Sequence, residues 1–199
     1  MSDLKAIVEA LIFASPEPVT IKTLTKLLDS ETVEDITAAI DELKEAYERP
    51  GGLRIVEVAG GYQIVTRSEL HEWVRRLFHE RTTQKLSVAS LETLAVVAYK
   101  QPVTAPEIAE IRGVSAAGVV STLVERKLVK IVGRKQVVGR PFLYGTTREF
   151  LERFGLNDLS DLPKVEDVSE LLGFDLPSTL GDAAPQNELP FEANDDKVH

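Results

Sequence analysis

Two stretches decide the fold: LKAIVEALIFASPEPVTIKTLTKLL (residues 4–28) and VASLETLAVVAYKQPVTAPEIAEIR (residues 88–112). They share the tripeptide PVT, which begins at Pro18 in the first stretch and at Pro102 in the second, an offset of 84 residues. The apolar positions around the tripeptide also correspond. Because this period is far longer than a solenoid repeat, the pattern indicates two copies of one small domain.

The first copy predicts three helices followed by a hairpin. Apolar residues recur at helical spacing over the first helix. Thr20 is the expected N-cap of a second helix over 21–28, and a third helix covers 32–47. The segments LRIVEV and YQIVT then predict two strands joined by a tight turn. A closing helix follows, which we expect to begin at a Ser68 cap and to run through Phe78.

The second copy keeps this order. Its first helix covers 90–99, and Thr104 with Glu107 three residues later predicts a capping box for the next helix. Ser115 is the expected cap of the third helix, and LVKIV and FLYGT form the hairpin. Helix, helix, helix and hairpin is the order of a winged-helix domain. The predicted fold is therefore mainly α with small β wings (α+β), in two tandem winged-helix domains.

The domain boundaries follow from the repeat and from the charge. We expect winged-helix domains at 1–80 and 86–156, joined by the polar segment HERTTQK. The net charge of −9 lies entirely in residues 157–199, where 11 acids face two bases. Four prolines interrupt that segment, so it predicts a mostly disordered acidic tail. Its apolar patch VSELLGF (168–174) is either a transient helical turn or a docking motif.

Composition argues against several functions. The chain has no Cys, which excludes disulfides and thiolate chemistry. The three His residues lack partners at metal-ligand spacing, and no glycine-rich phosphate loop is present. We therefore expect neither an enzyme nor a cofactor. The apolar N-terminal stretch is interrupted by charge, so a signal peptide or membrane span is not expected, and a cytoplasmic protein is.

The helices that would enter DNA grooves are poorly suited to that task. The third helix region of the first copy, residues 31–49, has seven acids against two bases. Phosphates would repel it. In the second copy, Ala117, Gly118, Ser121 and Thr122 form a small, uncharged outer face. This face suits either close protein contact or simple solvation.

The second hairpin is the most basic part of the chain. The stretch VGRKQVVGRPFLYGTTREF (132–150) carries Arg134, Lys135, Arg140 and Arg148, with no acid before Glu149. Its bases could meet the DNA backbone without sequence specificity, dock an acidic partner, or remain solvated. The hairpin also has more apolar residues than a solvated wing needs. The predicted partner-binding residues are Ala117, Gly118, Arg134, Lys135, Arg140, Phe142, Leu143 and Tyr144.

Three motifs carry a family resemblance: ETLAVVAYKQPVTAPEIAEIRGV, LVERKLVKIVGRK and GRPFLYGTTREFLERFGL. In this order and spacing they resemble the bacterial segregation and condensation protein B family over residues 1–156. The resemblance implies a non-enzymatic subunit of an SMC–kleisin complex, associated with the nucleoid and active in chromosome condensation and segregation. It also implies a homodimer formed through the first domain. The kleisin, segregation and condensation protein A, would bind largely through the second domain and link the subunit to SMC.

One departure and one alternative remain. The family often has Pro before the Gly-Arg-Pro of the wing, where this chain has Val138. The alternative is a winged-helix DNA-binding transcription regulator, which the acidic third helix disfavours. DNA contact is expected to be at most weak and non-specific.

Overall fold

The computed structural model describes residues 4–77, 85–165 and 167–168. The chain forms two compact units, Met1–Ser87 with Arg148–Asp161 and Val88–Thr147 with Leu162–His199. The described elements of unit 1 are α1 (Leu4–Ala14), α2 (Ile21–Leu27), α3 (Val33–Glu48), β1 (Leu53–Val58), β2 (Gly61–Thr66), α4 (His71–Leu77) and α8 (Arg148–Phe154). Those of unit 2 are α5 (Val88–Lys100), β3 (Val103–Thr104), α6 (Ala105–Arg112), α7 (Ala117–Glu125), β4 (Val129–Arg134) and β5 (Phe142–Thr146).

Each unit contains three helices followed by an antiparallel hairpin, which confirms the predicted winged-helix order and α+β class. Most of the predicted acidic tail, the linker beyond Leu77 and the end of the predicted closing helix at Phe78 lie outside the described residues. His79, His199 and most of the VSELLGF patch lie outside them as well.

The core of unit 1 forms between its first three helices and the hairpin. The Thr20 hydroxyl accepts a hydrogen bond of 3.1 Å from the Thr23 amide, as the predicted cap requires. Val19 then bridges Tyr62 of β2 through two backbone hydrogen bonds of 2.9 Å. The fully buried side chains of this core are Val8, Ile12, Leu24, Ile36, Ile40 and Leu43.

Unit 2 repeats this plan with a larger sheet. Its strand order is β3–β5–β4, so β3 occupies the place that the single Val19 bridge has in unit 1. Val103 pairs with Tyr144 in this sheet. The predicted capping box is present: Thr104 accepts from the Glu107 amide, and the Glu107 carboxylate accepts from Thr104. Gly113 ends α6 in the left-handed conformation at φ 67°, where a residue without Cβ is favoured.

Two predicted caps are wrong. A 3-10 turn over Ser68–Leu70 precedes α4, and no side chain caps it. The Ser68 carbonyl instead lies 3.1 Å from the His71 ring nitrogen Nδ1. Helix α7 begins one residue later than expected, with Ala116 at the cap position and no side-chain cap. Ala116 is buried, so packing fixes this helix start in place of a hydrogen-bonding side chain.

Helix α8 belongs to unit 1, although the predicted bounds of the second domain, 86–156, include it. The Arg148 guanidinium donates to the Pro18 carbonyl at 2.8 Å. The Ala59 amide donates to the Leu156 carbonyl at 2.9 Å. The chain therefore returns to the first copy after β5.

The first residues of the predicted tail are packed. Leu159 lies in a 3-10 turn of unit 1 and is buried. In unit 2 the Tyr99 hydroxyl donates to the Pro163 carbonyl, and Val165 is buried. These residues attach the chain to each unit before the acidic segment beyond residue 168 begins.

Candidate partner-binding site

An apolar strip on the second wing runs from the core of unit 2 into solvent. We define the second wing as β4, β5 and the turn between them, residues 129–146. Val129 pairs with Thr146, and both are buried under the helices. Phe142, Tyr144 and Thr146 share one face of β5, because alternate residues of a strand point to the same side. On that face Ile131 pairs with Tyr144, and Arg134 pairs with Phe142.

Exposure rises steeply along this strip. Val129 is 1% exposed, whereas Ile131 is 49% and Phe142 is 39% exposed. The gradient means that the hydrophobic face of the sheet continues past the end of the core. Solvent-exposed apolar area that is continuous with a core is typical of a surface that another chain covers.

Arg134 and Phe142 are in contact at the outer end of the strip. The guanidinium carbon of Arg134 lies 4.0 Å from the centroid of the Phe142 ring, which places the cation over the ring face. Arg134 Nη1 also donates to the Arg140 carbonyl at 3.1 Å. These two contacts connect the aromatic ring, the arginine and the backbone of the wing turn.

The wing turn is compact and its tip is apolar. The Arg140 amide donates to the Val137 carbonyl at 2.9 Å, and Gly139 has φ 85°, a conformation suited to glycine. Val138 lies at the tip and is fully exposed. This chain therefore places a bare aliphatic side chain where the turn meets solvent.

Lys135 fastens the wing to α6. Its ammonium group is paired with the Glu107 carboxylate, which also accepts from the Thr104 amide at 2.8 Å and hydroxyl at 2.7 Å. The hydrogen bonds from Lys135 and from the Thr104 hydroxyl lower the pKa of Glu107 to about 2. Glu107 is thus ionised at neutral pH, and it neutralises one of the wing's positive charges.

The structure brings four of the predicted residues together and separates the others. Arg134, Phe142, Tyr144 and Arg140 lie along the strip or at its tip. Leu143 is on the opposite face of β5, paired with Gly133. Ala117 and Gly118 are exposed on α7, a separate element, and no atom from outside the local helix lies within 4 Å of the Cβ position at Gly118. The partner-binding role of all these residues stays a prediction.

Sequence reasoning missed two residues of the wing. Ile131 joins the strip by pairing with Tyr144, and the β-bulge that follows it brings Arg134, in place of Gly133, opposite Phe142. The segment LVKIV signalled a strand but gave no sign of that bulge. Gln101 is buried at the base of the wing and accepts from the Thr146 amide at 2.7 Å, so its side chain fixes β5 to the end of α5. No local pattern predicts so distant a contact.

The wing of unit 1 differs because its own chain covers the turn. The Ala59 amide donates to the Leu156 carbonyl, and the Gly60 amide donates to Asn157 Oδ1 at 2.9 Å. Asn157 Nδ2 also reaches Glu57 at 3.3 Å. The first wing is therefore already occupied, in contrast to the exposed strip of unit 2.

Within residues 4–77, 85–165 and 167–168, no group of three His, Asp or Glu side chains could hold a metal ion. None of the helices described there is long and apolar enough to cross a membrane. The exposed apolar strip with its charged border is the candidate partner-binding site of unit 2.

Comparison with known proteins identifies the family. The model of the family "Segregation and condensation complex subunit ScpB" matches residues 6–165. The chain is also 48% identical over 193 residues to segregation and condensation protein B of Syntrophotalea carbinolica, covering 94% of this chain and 97% of that protein. This chain belongs to the ScpB family, whose members are subunits of a condensin-like complex.

Solved structures of similar chains exist. ScpB from Mycobacterium tuberculosis is 34% identical, and the match covers 77% of this chain and 95% of that one with a TM-score of 0.36. A dimer of an ScpB N-terminal domain complexed with an ScpA peptide is 27% identical, covering 41% of this chain and 99% of that one with a TM-score of 0.37.

Proposed function

We propose that this chain is the kleisin-binding subunit of a bacterial SMC–kleisin complex, acting in chromosome condensation and segregation on the nucleoid. The kleisin, an ScpA-type protein, would link it to SMC. Family membership supports the type of complex. The observation that carries the binding assignment is the apolar strip of the second wing, because it leaves hydrophobic surface uncovered next to an open sheet edge.

The strip offers a partner two kinds of contact. Among the described strands, β4 lies at the edge of its sheet, so its outer backbone groups can pair with an added strand. Ile131 and Phe142 supply apolar side chains beside that edge. Arg140 borders them as an exposed charge that would steer an acidic segment and add little net affinity.

The outer face of α7 is the second part of the proposed kleisin surface. Ala117, Gly118 and Ser121 are exposed there, and none has a bulky side chain. Small side chains let the backbone of a partner come close, as they do where membrane helices pack together. We assign kleisin binding to unit 2 as a whole, with the strip and this face as its two contact regions.

Homodimerisation is assigned to unit 1, through α4. This helix has no buried residue of its own. Trp73 and Leu77 lie four residues apart on one side of it and are 67% and 79% exposed. A helix whose apolar side faces outward gains stability when a second copy covers that side.

The kleisin assignment is tested by calorimetric titration of the full chain with its ScpA-type partner. Ala117→Arg introduces bulk and charge on the small face, and Phe142→Asp removes the aromatic ring of the strip. We expect each to weaken binding at least tenfold. Arg140→Glu should weaken it by less, mainly through slower association, and its effect should shrink as salt rises.

Lys127→Glu is the matched control for charge. Lys127 is exposed at the opposite end of the hairpin and receives the same charge reversal as Arg140. If Arg140→Glu abolishes binding while Ala117→Arg and Phe142→Asp leave it intact, the apolar account is wrong. Tight binding of duplex DNA at physiological salt, with a steep salt dependence, would favour the regulator alternative instead.

The dimer assignment is tested by sedimentation velocity on the full chain. We expect a dimer for the wild type at micromolar concentration and a monomer for Trp73→Glu and Leu77→Glu. Arg75→Ala is the control, since Arg75 is on the same helix and 72% of its side chain is exposed. A dimer that persists in both glutamate variants would exclude α4 as the interface.

A further inference from the structure

We propose that the acidic C-terminal segment 187–196 docks on the second wing of its own chain and competes with other ligands for the apolar strip. The segment, NELPFEANDD, combines four acids with Leu189 and Phe191. The proposal concerns a contact within the chain, so it does not depend on the identity of the partner proposed above.

Charge complementarity is the first argument. No acid lies in the second wing, residues 129–146, which contains the four bases Lys130, Arg134, Lys135 and Arg140. Glu107 neutralises Lys135, but Arg140 at the tip is exposed. Residues 187–196 carry the highest density of acids beyond residue 168, and no base interrupts them.

Chemical match along the strip is the second argument. The strip alternates exposed apolar side chains, Ile131 and Phe142, with the cations Arg134 and Arg140. The segment likewise places apolar side chains between carboxylates. An occupant of this chemistry would cover the apolar area and satisfy the arginines together, which an acidic chain without apolar residues could not do.

Reach is the third argument. The chain is attached to unit 2 at Pro163, through the Tyr99 hydroxyl, and at the buried Val165. Tyr99 is two residues before Gln101, which bonds to Thr146 at the inner end of β5. The wing tip is about one strand length away, roughly 17 Å for the five residues of β5.

The chain between this anchor and residue 187 is long enough for the distance. Residues 169–187 would span about 25 Å as a random coil and about 60 Å when extended. Docking within the chain therefore needs no strain. The same tethering gives the segment a millimolar effective concentration at the wing, so even a weak contact would be populated.

The consequence is a reduced apparent affinity for anything else that binds the strip. A competitor sees only the fraction of molecules whose wing is free, so a contact populated nine times in ten raises the apparent Kd about tenfold. Binding of any other ligand to the strip would then include displacement of the segment.

Paramagnetic relaxation tests the contact in the full chain. The chain has no Cys, so Ala193→Cys takes a single spin label. We expect amide signals of residues 134–142 to broaden at about 50 mM salt and to recover at about 500 mM, because screening shortens with ionic strength. In the matched control the same label is carried by a variant with Glu188→Gln, Glu192→Gln, Asp195→Asn and Asp196→Asn, and the broadening should vanish.

A mixture of spin-labelled chains with isotope-labelled chains separates the two possible sources of contact. Broadening of the same size in this mixture means docking between molecules and overturns the proposal. Broadening elsewhere than the wing, no broadening at low salt, or broadening that survives neutralisation of the four acids also overturns it. The proposal is supported if broadening at the wing occurs only when one chain carries both labels and only when the four acids are present.

Discussion

The contact between Glu107 and Lys135 gives a quantitative prediction about how the second wing is held. Glu107→Ala removes the side chain that accepts from the Thr104 amide at 2.8 Å and pairs with Lys135. Loss of the capping interaction costs about 1 kcal/mol. More than a third of each side chain of the ion pair is exposed, so solvent screens it and the pair contributes about 0.5 kcal/mol. The expected total is about 1.5 kcal/mol.

Hydrogen exchange of the full chain measures this cost locally. A change of about 1.5 kcal/mol corresponds to roughly tenfold faster exchange for amides of α6 and the wing, while unit 1 stays unchanged. Glu107→Gln keeps an acceptor for the cap, so it should cost mainly the ion pair. A double-mutant cycle of Glu107→Gln with Lys135→Met isolates that pair. Strictly additive effects at low salt would refute the reasoning.

The pH dependence has a definite sign. The pKa of Glu107 is about 2 in the folded protein, below its usual value of 4.5. A lowered folded pKa contributes stability that is present above about pH 4.5 and is lost as the pH falls toward 2. Wing amides should therefore lose protection across this window in the wild type and less so in Glu107→Gln. Equal loss in both proteins would assign the effect to other carboxylates.

Three further changes probe each unit separately. Arg112→Ala leaves the partly buried Glu92 without its partner and should cost about 3 kcal/mol in urea unfolding, where a cost below 1 kcal/mol would contradict the buried pair. Gly61→Ala places a Cβ 3.0 Å from main-chain atoms of the segment before α2, and we expect a loss of about 1–3 kcal/mol by thermal melting. The hydrogen bond to Glu9 raises the pKa of Tyr47 to about 12. Alkaline absorbance titration should therefore show the same number of ionised tyrosines at pH 11 in the wild type and in Tyr47→Phe.

The features that the sequence predicts correctly depend on neighbours along the chain. The caps at Thr20 and Thr104 each use an amide three residues ahead, so a short motif contains both partners. Ser115 had the right residue type, but burial of Ala116 decided the start of α7. Helix and strand order survives such errors because hydrophobic periodicity is repeated many times within each element.

The features that escape sequence reasoning join distant residues. The ion pair of Glu107 with Lys135 spans 28 positions, and the bond from Thr146 to Gln101 spans 45. Composition also misled at the start of the tail. The acids and prolines of 157–199, taken together, predict a mostly disordered segment. Leu159 is nevertheless buried, because the folded unit provides a surface that the composition of the segment does not reveal.

The open edge of β4 has a consequence for handling the isolated subunit. An unpaired strand beside exposed Ile131 and Val138 is a template for pairing between identical molecules, and such edges promote aggregation. Arg134 and Arg140 stand where gatekeeper charges are placed to keep such edges apart. Variants that neutralise these arginines will therefore precipitate more readily when the subunit is produced without a partner, and loss of yield will precede any loss of recognition.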